Sequence, residues 1–176
     1  MLLLFTNTII MYDFFSKALI LDREPLGETD SYIHLLTAEY GKLSAKAKSL
    51  RKITSKLSSH LEPNSISLIR FVGKKGLHIA DALKLHKKNY SWNILNLLKK
   101  TVPEWHRDIN LWDNVLKGSV EEKRLLSHLG FNISFSSCYF CQIKNPEFFF
   151  LKDHYFVCRS CSSSFQIPED DVVLIT

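Results

Sequence analysis

The stretch "SYIHLLTAEYGKLSAKAKSL", residues 31–50, contains the pattern that decides the fold. Its first seven residues are typical of a strand, and residues 38–42 indicate a turn in which Gly41 can take a positive φ. The run that follows has period two. Small apolar residues on one face alternate with polar or cationic residues on the other: Leu43, Ala45 and Ala47 against Ser44, Lys46 and Lys48. This alternation predicts a strand with one apolar and one cationic face.

Further strand-like runs lie on both sides of this stretch. "SKALIL", residues 16–21, precedes it, and "SISLIRF", residues 65–71, and "LHIADA", residues 77–82, follow it. The last two are separated by Gly73 to Gly76, which indicates a hairpin. Five short strands with polar turns and no long helix predict a small barrel or sandwich, and an OB-fold barrel fits five strands best.

The middle of the chain is helical in pattern. The predicted helices cover residues 91–100, 103–118 and 119–130. Pro103 is expected at the start of the second helix, Gly118 at its end, and Ser119 with Glu122 as a capping box for the third. Three tryptophans in this region are interpreted as core residues rather than ligand stackers: Trp92, Trp105 and Trp112.

All four cysteines lie in "CYFCQIKNPEFFFLKDHYFVCRSC", residues 138–161, and form two Cys-x-x-Cys pairs. This spacing is typical of a structural zinc site with four thiolate ligands, which leaves no open position for catalysis. The predicted ligands of one Zn²⁺ per chain are Cys138, Cys141, Cys158 and Cys161. Unligated redox thiols and disulfides are the alternatives. The segment between the pairs is predicted to fold back as a hairpin, with "EFFFL", residues 147–151, and "YFVC", residues 155–158, as its strands. The aromatic residues between the pairs are interpreted as the core of a zinc ribbon, with a base-stacking platform as the alternative.

Positive charge is concentrated in the first half of a chain whose net charge is +5. Residues 14–88 carry 14 basic and 7 acidic side chains, whereas residues 89–176 carry 9 basic and 10 acidic ones. Between residues 42 and 61 there are six basic residues and no acid: Lys42, Lys46, Lys48, Arg51, Lys52 and Lys56. These residues are predicted to bind DNA phosphates, with a solvated strand edge as the alternative.

Other classes of protein are not favoured. The apolar start, residues 1–15, lacks the charge and cleavage pattern of a signal peptide and is too short to span a bilayer. We interpret this apolar start as an extra strand, as a frayed terminus, or as residues that precede a true start at Met11. A cytoplasmic protein without a membrane segment is therefore expected, with reduced thiols. No nucleophile–base pair or phosphate-binding loop is present, so a non-enzymatic protein is predicted.

Several short motifs resemble the RecO family of bacterial recombination and repair proteins. They cover about residues 15–82 and 121–161, in the family's order: Gly27-Glu28-x-Asp30, Leu36-Thr37, Gly41-Lys42, Ala47-Lys48, Arg51-Lys52, Ser55-Lys56-Leu57, Leu61-Glu62-Pro63, and "RLLSHLGF" leading into "CYFC". The chain differs from the family pattern at Ser49, where relatives usually have glycine. It also ends soon after the cysteine motif, where relatives usually continue through further helices.

The resemblance implies an α+β protein with an N-terminal OB-fold barrel, a small helical region and a four-cysteine zinc ribbon. We expect an OB-fold DNA-binding domain in residues 1–82 and a reduced helical domain in residues 83–176, with the ribbon at 138–161. The resemblance also implies binding of single-stranded and double-stranded DNA, strand annealing, partnership with RecR, and access to strands coated by single-strand binding protein so that RecA can load. A nucleoid-associated location follows. The alternatives are a zinc-ribbon adaptor that binds proteins and a zinc-dependent enzyme that processes nucleotides.

Overall fold

The computed structural model describes residues 12–118 and 120–175. The interpretations of residues 1–11, and the capping box that was predicted through Ser119, lie outside the described residues. Of that box, Glu122 is described, and it is the first residue of a helix preceded by Glu121.

A closed barrel of five strands forms the first half of the structure. The strands are β1 Tyr12–Leu26, β2 Asp30–Thr37, β3 Gly41–Ala47, β4 Ser65–Gly73 and β5 His78–Lys87. Their order around the barrel is β1-β2-β3-β5-β4, and β3 meets β5 in a single parallel pairing, Lys46 with His78. This is the five-stranded Greek-key barrel of the OB fold, and the fold predicted from the sequence is confirmed. Strand β5 continues five residues past the predicted domain boundary at residue 82.

Strand β1 has both faces buried. Ala18 and Ile20 point into the barrel core, whereas Leu19 and Leu21 point into a second core formed with the helices and the C-terminal sheet. Successive side chains of a strand lie on opposite faces, so a continuous apolar run fits a strand that has a core on each side. The barrel and the helical region therefore share one wall.

Three helices follow the barrel: α1 Trp92–Thr101, α2 Ile109–Lys117 and α3 Glu122–His128. Helix α1 begins after Ser91, whose hydroxyl accepts the Ile94 N–H at 3.2 Å. Helix α2 begins six residues later than predicted. Its N-cap is Asp108, whose carboxylate accepts the Leu111 N–H at 2.9 Å, rather than Pro103. A capping carboxylate satisfies an otherwise unpaired helical N–H, so the helix begins after Asp108. It does not begin at Pro103, although proline is common in the first turn of a helix.

Two of the three tryptophans are not core residues, which corrects the prediction. Trp112 is buried in the second core, but Trp92 and Trp105 are each 50% exposed. The reason for Trp105 is the late start of α2, because the helical spacing that would have buried its ring does not exist there.

A small three-stranded sheet of order β7-β6-β8 ends the structure. The strands are β6 Phe148–Phe150, β7 Tyr155–Val157 and β8 Val172–Leu174, and a short helix, α4 Arg159–Ser164, follows β7. The hairpin of β6 and β7 was predicted, whereas β8 was not. Val173 and Ile175 join Phe149 in the second core, so β8 attaches the hairpin to the helices. Short 3-10 turns lie at Ser58–His60, Ile133–Phe135 and Glu169–Asp171.

Within the described part of the chain, no helix has the length and apolar character needed to cross a membrane.

Candidate nucleic-acid interface and metal centre

The four cysteine sulfurs lie within 4.8 Å of one another. Cys138 and Cys141 come from the turn before β6, whereas Cys158 is the N-cap of α4 and Cys161 lies in the first turn of that helix. The sulfurs of Cys141 and Cys158 are 3.6 Å apart, which is too far for a disulfide bond. A tetrahedral zinc ion with sulfur bonds of about 2.3 Å would space its ligands by about 3.8 Å. The geometry of the cluster therefore fits one metal ion with four thiolate ligands.

Backbone N–H groups and burial set the ionisation of these thiols. Burial opposes ionisation of the Cys138 thiol, but N–H groups that include those of Cys141 and Phe140 bring its pKa down to about 6. Burial and the neighbouring thiols raise the pKa of Cys161 to about 12. A metal that binds here must displace protons from the raised thiols, so its affinity falls as pH falls. All four thiolates would then ligate the ion and leave no position for a reacting water.

The turns around the cysteines are fixed by the backbone. The Cys138 N–H donates to the Ile143 carbonyl at 2.8 Å, and the Tyr139 N–H donates to the Phe156 carbonyl at 2.8 Å. The second bond joins the first cysteine turn to β7 and so positions the two pairs against each other. Phe148 and Tyr155 pack against the cysteine cluster, as expected for the core of the ribbon, whereas Phe149 is buried in the second core.

Strand β3 has the two faces that its sequence predicts. Leu43, Ala45 and Ala47 are fully buried in the barrel core, and the residues between them point outward. On the outer face Lys46 lies 2.7 Å from the Asp30 carboxylate. The Lys46 side chain is therefore partly neutralised and directed along the sheet.

The loop after β3 projects four cations into solvent: Lys48, Arg51, Lys52 and Lys56. The Arg51 N–H donates to the Thr29 carbonyl at 2.9 Å, and the Arg51 guanidinium donates to the Gly27 carbonyl at 3.1 Å. Ile53, at the tip, is fully exposed. The loop is thus fixed at its base to the β1–β2 turn while its charged side chains face outward.

Lys42, although predicted with this group, lies apart from it. Its ammonium donates to the Lys99 carbonyl at 2.7 Å, near the C-terminal end of α1. Burial lowers the pKa of Lys42, with the nearby Glu104 opposing that effect. The structure thus gives Lys42 a bond to the helix, whereas the other five predicted residues lie on the outer face of β3 or in the loop.

The segment between α1 and α2 runs along β3, which the sequence did not indicate. Glu104 pairs with Lys42 as a parallel bridge, and the Trp105 N–H donates to the Lys42 carbonyl at 3.0 Å. Gly41 makes this approach possible, because a Cβ there would lie 2.0 Å from the His106 carbonyl oxygen. Trp105 has a φ of 58°, a conformation that a bulky residue rarely adopts. This segment was missed because the sequence pattern predicts a helix over residues 103–118.

The closed barrel, its cationic loop and the four-cysteine module define an OB-fold protein with a ribbon whose four sulfurs could hold a metal ion. The family model described as "Recombination protein O N terminal" matches residues 11–88. A "DNA repair protein RecO" of Thermodesulfovibrio yellowstonii is 31% identical over an alignment of 179 positions. The alignment covers 85% of this chain and 70% of that protein. This chain belongs to the RecO family of DNA repair proteins.

Two further relatives carry the same name. That of Bacillus pumilus is 23% identical over an alignment of 174 positions, which covers 84% of this chain and 68% of that protein. That of Dehalococcoides mccartyi strain BAV1 is 49% identical over 51 residues, or 29% of this chain and 20% of that protein. The family membership predicted from the sequence motifs is thereby confirmed.

Proposed function

We propose that this protein is a non-enzymatic mediator of DNA repair that binds DNA phosphates with the loop after β3. The observation that carries the proposal is the group of four solvent-facing cations, Lys48, Arg51, Lys52 and Lys56, in residues 48–61 of that loop, which include no acidic residue. Lys46 extends the group onto the sheet, and Lys42 is expected to contribute least because its ammonium bonds the helix. Phosphate contacts carry no sequence information, so the binding would accept single-stranded and double-stranded DNA.

Strand annealing follows from the same charge. Complementary strands repel each other through their phosphates, and a protein that neutralises both lowers that repulsion and raises their rate of encounter. The reaction would need neither a nucleotide nor a free divalent ion. We infer that the four cysteines hold a structural Zn²⁺, which supplies a cross-link between the two turns of the ribbon and takes no part in chemistry at DNA.

Family membership supports partners beyond DNA. We propose that the chain acts with RecR, and that it reaches strands coated by single-strand binding protein so that a RecA filament can load. A nucleoid-associated location in the cytoplasm is part of this proposal.

The test is annealing of fluorescent complementary oligonucleotides, naked or coated with single-strand binding protein, across a salt series and with and without ATP. We expect acceleration of naked strands at low salt, no effect of ATP, and loss of acceleration as salt rises. No acceleration and no binding of single-stranded oligonucleotide at low salt would reject the function. Acceleration of naked strands alone would retain annealing and reject the contact with coated strands.

A protein-binding adaptor is the second candidate, and one observation favours it. Tyr139, Phe140 and Phe165 are exposed beside the cysteine cluster, with Phe140 and Phe165 stacked at 4.2 Å between ring centres. Exposed aromatic groups of this kind are enriched in protein interfaces. Salt-independent capture of RecR together with a lack of DNA binding would favour the adaptor. A zinc-dependent enzyme is the least favoured, because four thiolate ligands would close the metal site.

A further inference from the structure

A groove of about 630 Å³ lies on the outer face of the barrel, beside the cationic loop but separate from it. Its floor is the outer face of β2 and β3, where Tyr32, His34 and Ser44 point outward. One wall is the β4–β5 hairpin, with Lys74 and Lys75, and the other is the segment that carries Trp105. The groove is therefore assembled from the barrel and from the connection between two helices.

Two aromatic rings are presented to this groove. Tyr32 is 38% exposed and Trp105 is 50% exposed, although both have apolar rings large enough to be buried elsewhere. The backbone of Trp105 is in the left-handed region, and the Tyr40 ring lies edge-on to its indole at 6.4 Å. Strain of this kind persists only where surrounding contacts impose it, and it is common at binding sites. The bonds to β3 described above impose it here.

The polar groups of the groove favour a base over a phosphate. The Glu104 carboxylate lies on the groove and accepts the Ser44 hydroxyl at 2.8 Å. A carboxylate repels phosphate but can accept hydrogen bonds from the N–H groups of a nucleobase. The exposed Lys74 and Lys75 occupy the opposite wall, where a sugar–phosphate chain could pass. The groove thus has a flat aromatic side, an acceptor and a cationic rim.

Lys46, on the outer face of β3, adjoins two residues that line the groove. Tyr32 and Lys46 are directly opposite each other on β2 and β3, and the Lys46 N–H donates to the Leu77 carbonyl of the hairpin at 2.9 Å. A strand whose phosphates contact the loop after β3 can therefore place a base in the groove without crossing the barrel.

We propose that this groove holds an unstacked nucleobase of single-stranded DNA against Trp105 and Tyr32, and that it makes the protein prefer single strands to duplex. The proposal rests on the proposed function, because the phosphate contacts bring the strand to the barrel. Phosphate contacts alone do not separate the two forms, whereas a duplex has its bases stacked and paired and cannot supply one to the groove. Trp105 and Tyr32 are specificity-determining residues in this proposal.

The experiment compares thymidine oligonucleotides, a matched abasic deoxyribose–phosphate oligomer and a duplex hairpin by fluorescence anisotropy. The wild-type chain is expected to bind the thymidine strand more tightly than the abasic oligomer, with quenching of tryptophan fluorescence. Trp105→Ala is expected to weaken thymidine binding by roughly 5- to 150-fold, the range for removal of one stacked base. Its affinity for the abasic oligomer and the hairpin, and the slope of its salt dependence, should not change.

Trp92→Ala is the matched control, since Trp92 is also 50% exposed but does not line the groove. Trp105→Phe keeps a stacking ring and should retain most of the affinity, which separates stacking from loss of the fold. Equal binding of thymidine and abasic oligomers by the wild-type chain would overturn the groove proposal and leave the phosphate proposal standing. If none of the three probes binds, the proposed function itself is rejected.

Discussion

The Asp30 carboxylate contacts both Lys46, near the end of β3, and Ser49, at the start of the cationic loop. One carboxylate oxygen accepts the Ser49 N–H at 2.8 Å, and the other lies 2.7 Å from the Lys46 ammonium. The carboxylate thereby orients the start of the cationic loop and neutralises part of the strand that precedes it.

This bridge should appear in the pH dependence of stability. The Lys46 ammonium and the Ser49 N–H lower the pKa of Asp30 to about 2, below its usual value of 3.8. The bridge therefore stabilises the fold fully above the ordinary pKa, and this contribution is lost as pH falls from about 4 through about 2. Asp30→Asn should be less stable than wild type in urea unfolding at pH 7, with a difference that narrows below pH 4. Asp113→Asn, at an exposed position of α2, should show no such pattern.

Ser49 takes a φ of 52°, so glycine should be preferred at this position. Left-handed backbone costs a residue with a side chain about 1–2 kcal/mol, partly offset by the greater freedom of glycine in the unfolded chain. We expect Ser49→Gly to raise the free energy of unfolding by about 0.5–1 kcal/mol. Ser59→Gly, where φ is not positive, should lower it instead. Equal effects of the two changes in chemical denaturation would contradict the role assigned to this turn.

The exposed loop cations should control both DNA affinity and its salt dependence. Replacing Lys48, Arg51, Lys52 and Lys56 by alanine should weaken binding to all sequences. The salt slope for single strands should also fall by about 0.7 for each DNA phosphate that the variant no longer neutralises. The matched control changes four exposed lysines outside the barrel and removes the same charge: Lys117, Lys123, Lys144 and Lys152. If the two variants have the same slope, the loop is only a solvated surface.

Replacing Lys42 should affect the stability of the fold more than it affects DNA binding. Its bond to the Lys99 carbonyl stabilises the end of α1, where a cation also interacts favourably with the helix dipole. Lys42→Met keeps the apolar stem and should lower the free energy of unfolding by about 1 kcal/mol. DNA affinity should change less than in Lys48→Ala, measured at the same salt concentration. The reverse order of effects would place Lys42 among the DNA-binding residues.

The cysteine cluster should bind about one zinc ion per chain when the protein is purified without chelator. Cys138→Ser should lose the metal and expose the ribbon to proteolysis, whereas Ser163→Ala, on the adjacent helix, should retain both. Elemental analysis combined with limited proteolysis makes the measurement. Metal-free wild-type protein with a protected ribbon would show that the thiols alone hold the fold.

The features that the sequence predicted are those set by local pattern. The alternation around Leu43 and Ala45 predicted β3, and the cysteine spacing predicted the ribbon hairpin, because period and ligand geometry act over a few residues. The path of Trp105 could not be predicted in this way. It depends on Gly41, far earlier in the chain, leaving space for the His106 backbone. Lys42 likewise matched its cationic neighbours in sequence and differs from them only through a helix that packs against it.

The shared wall formed by β1 has a consequence for how this protein can be divided. A fragment that ends with β5 would keep Ala18 and Ile20 inside the barrel but would leave Leu19 and Leu21 facing water. Contiguous apolar surface of that kind promotes aggregation. The barrel is therefore not a transferable module in this chain: recombining it with an unrelated partner by gene fusion requires a replacement for the helices, or polar substitutions on the outer face of its first strand.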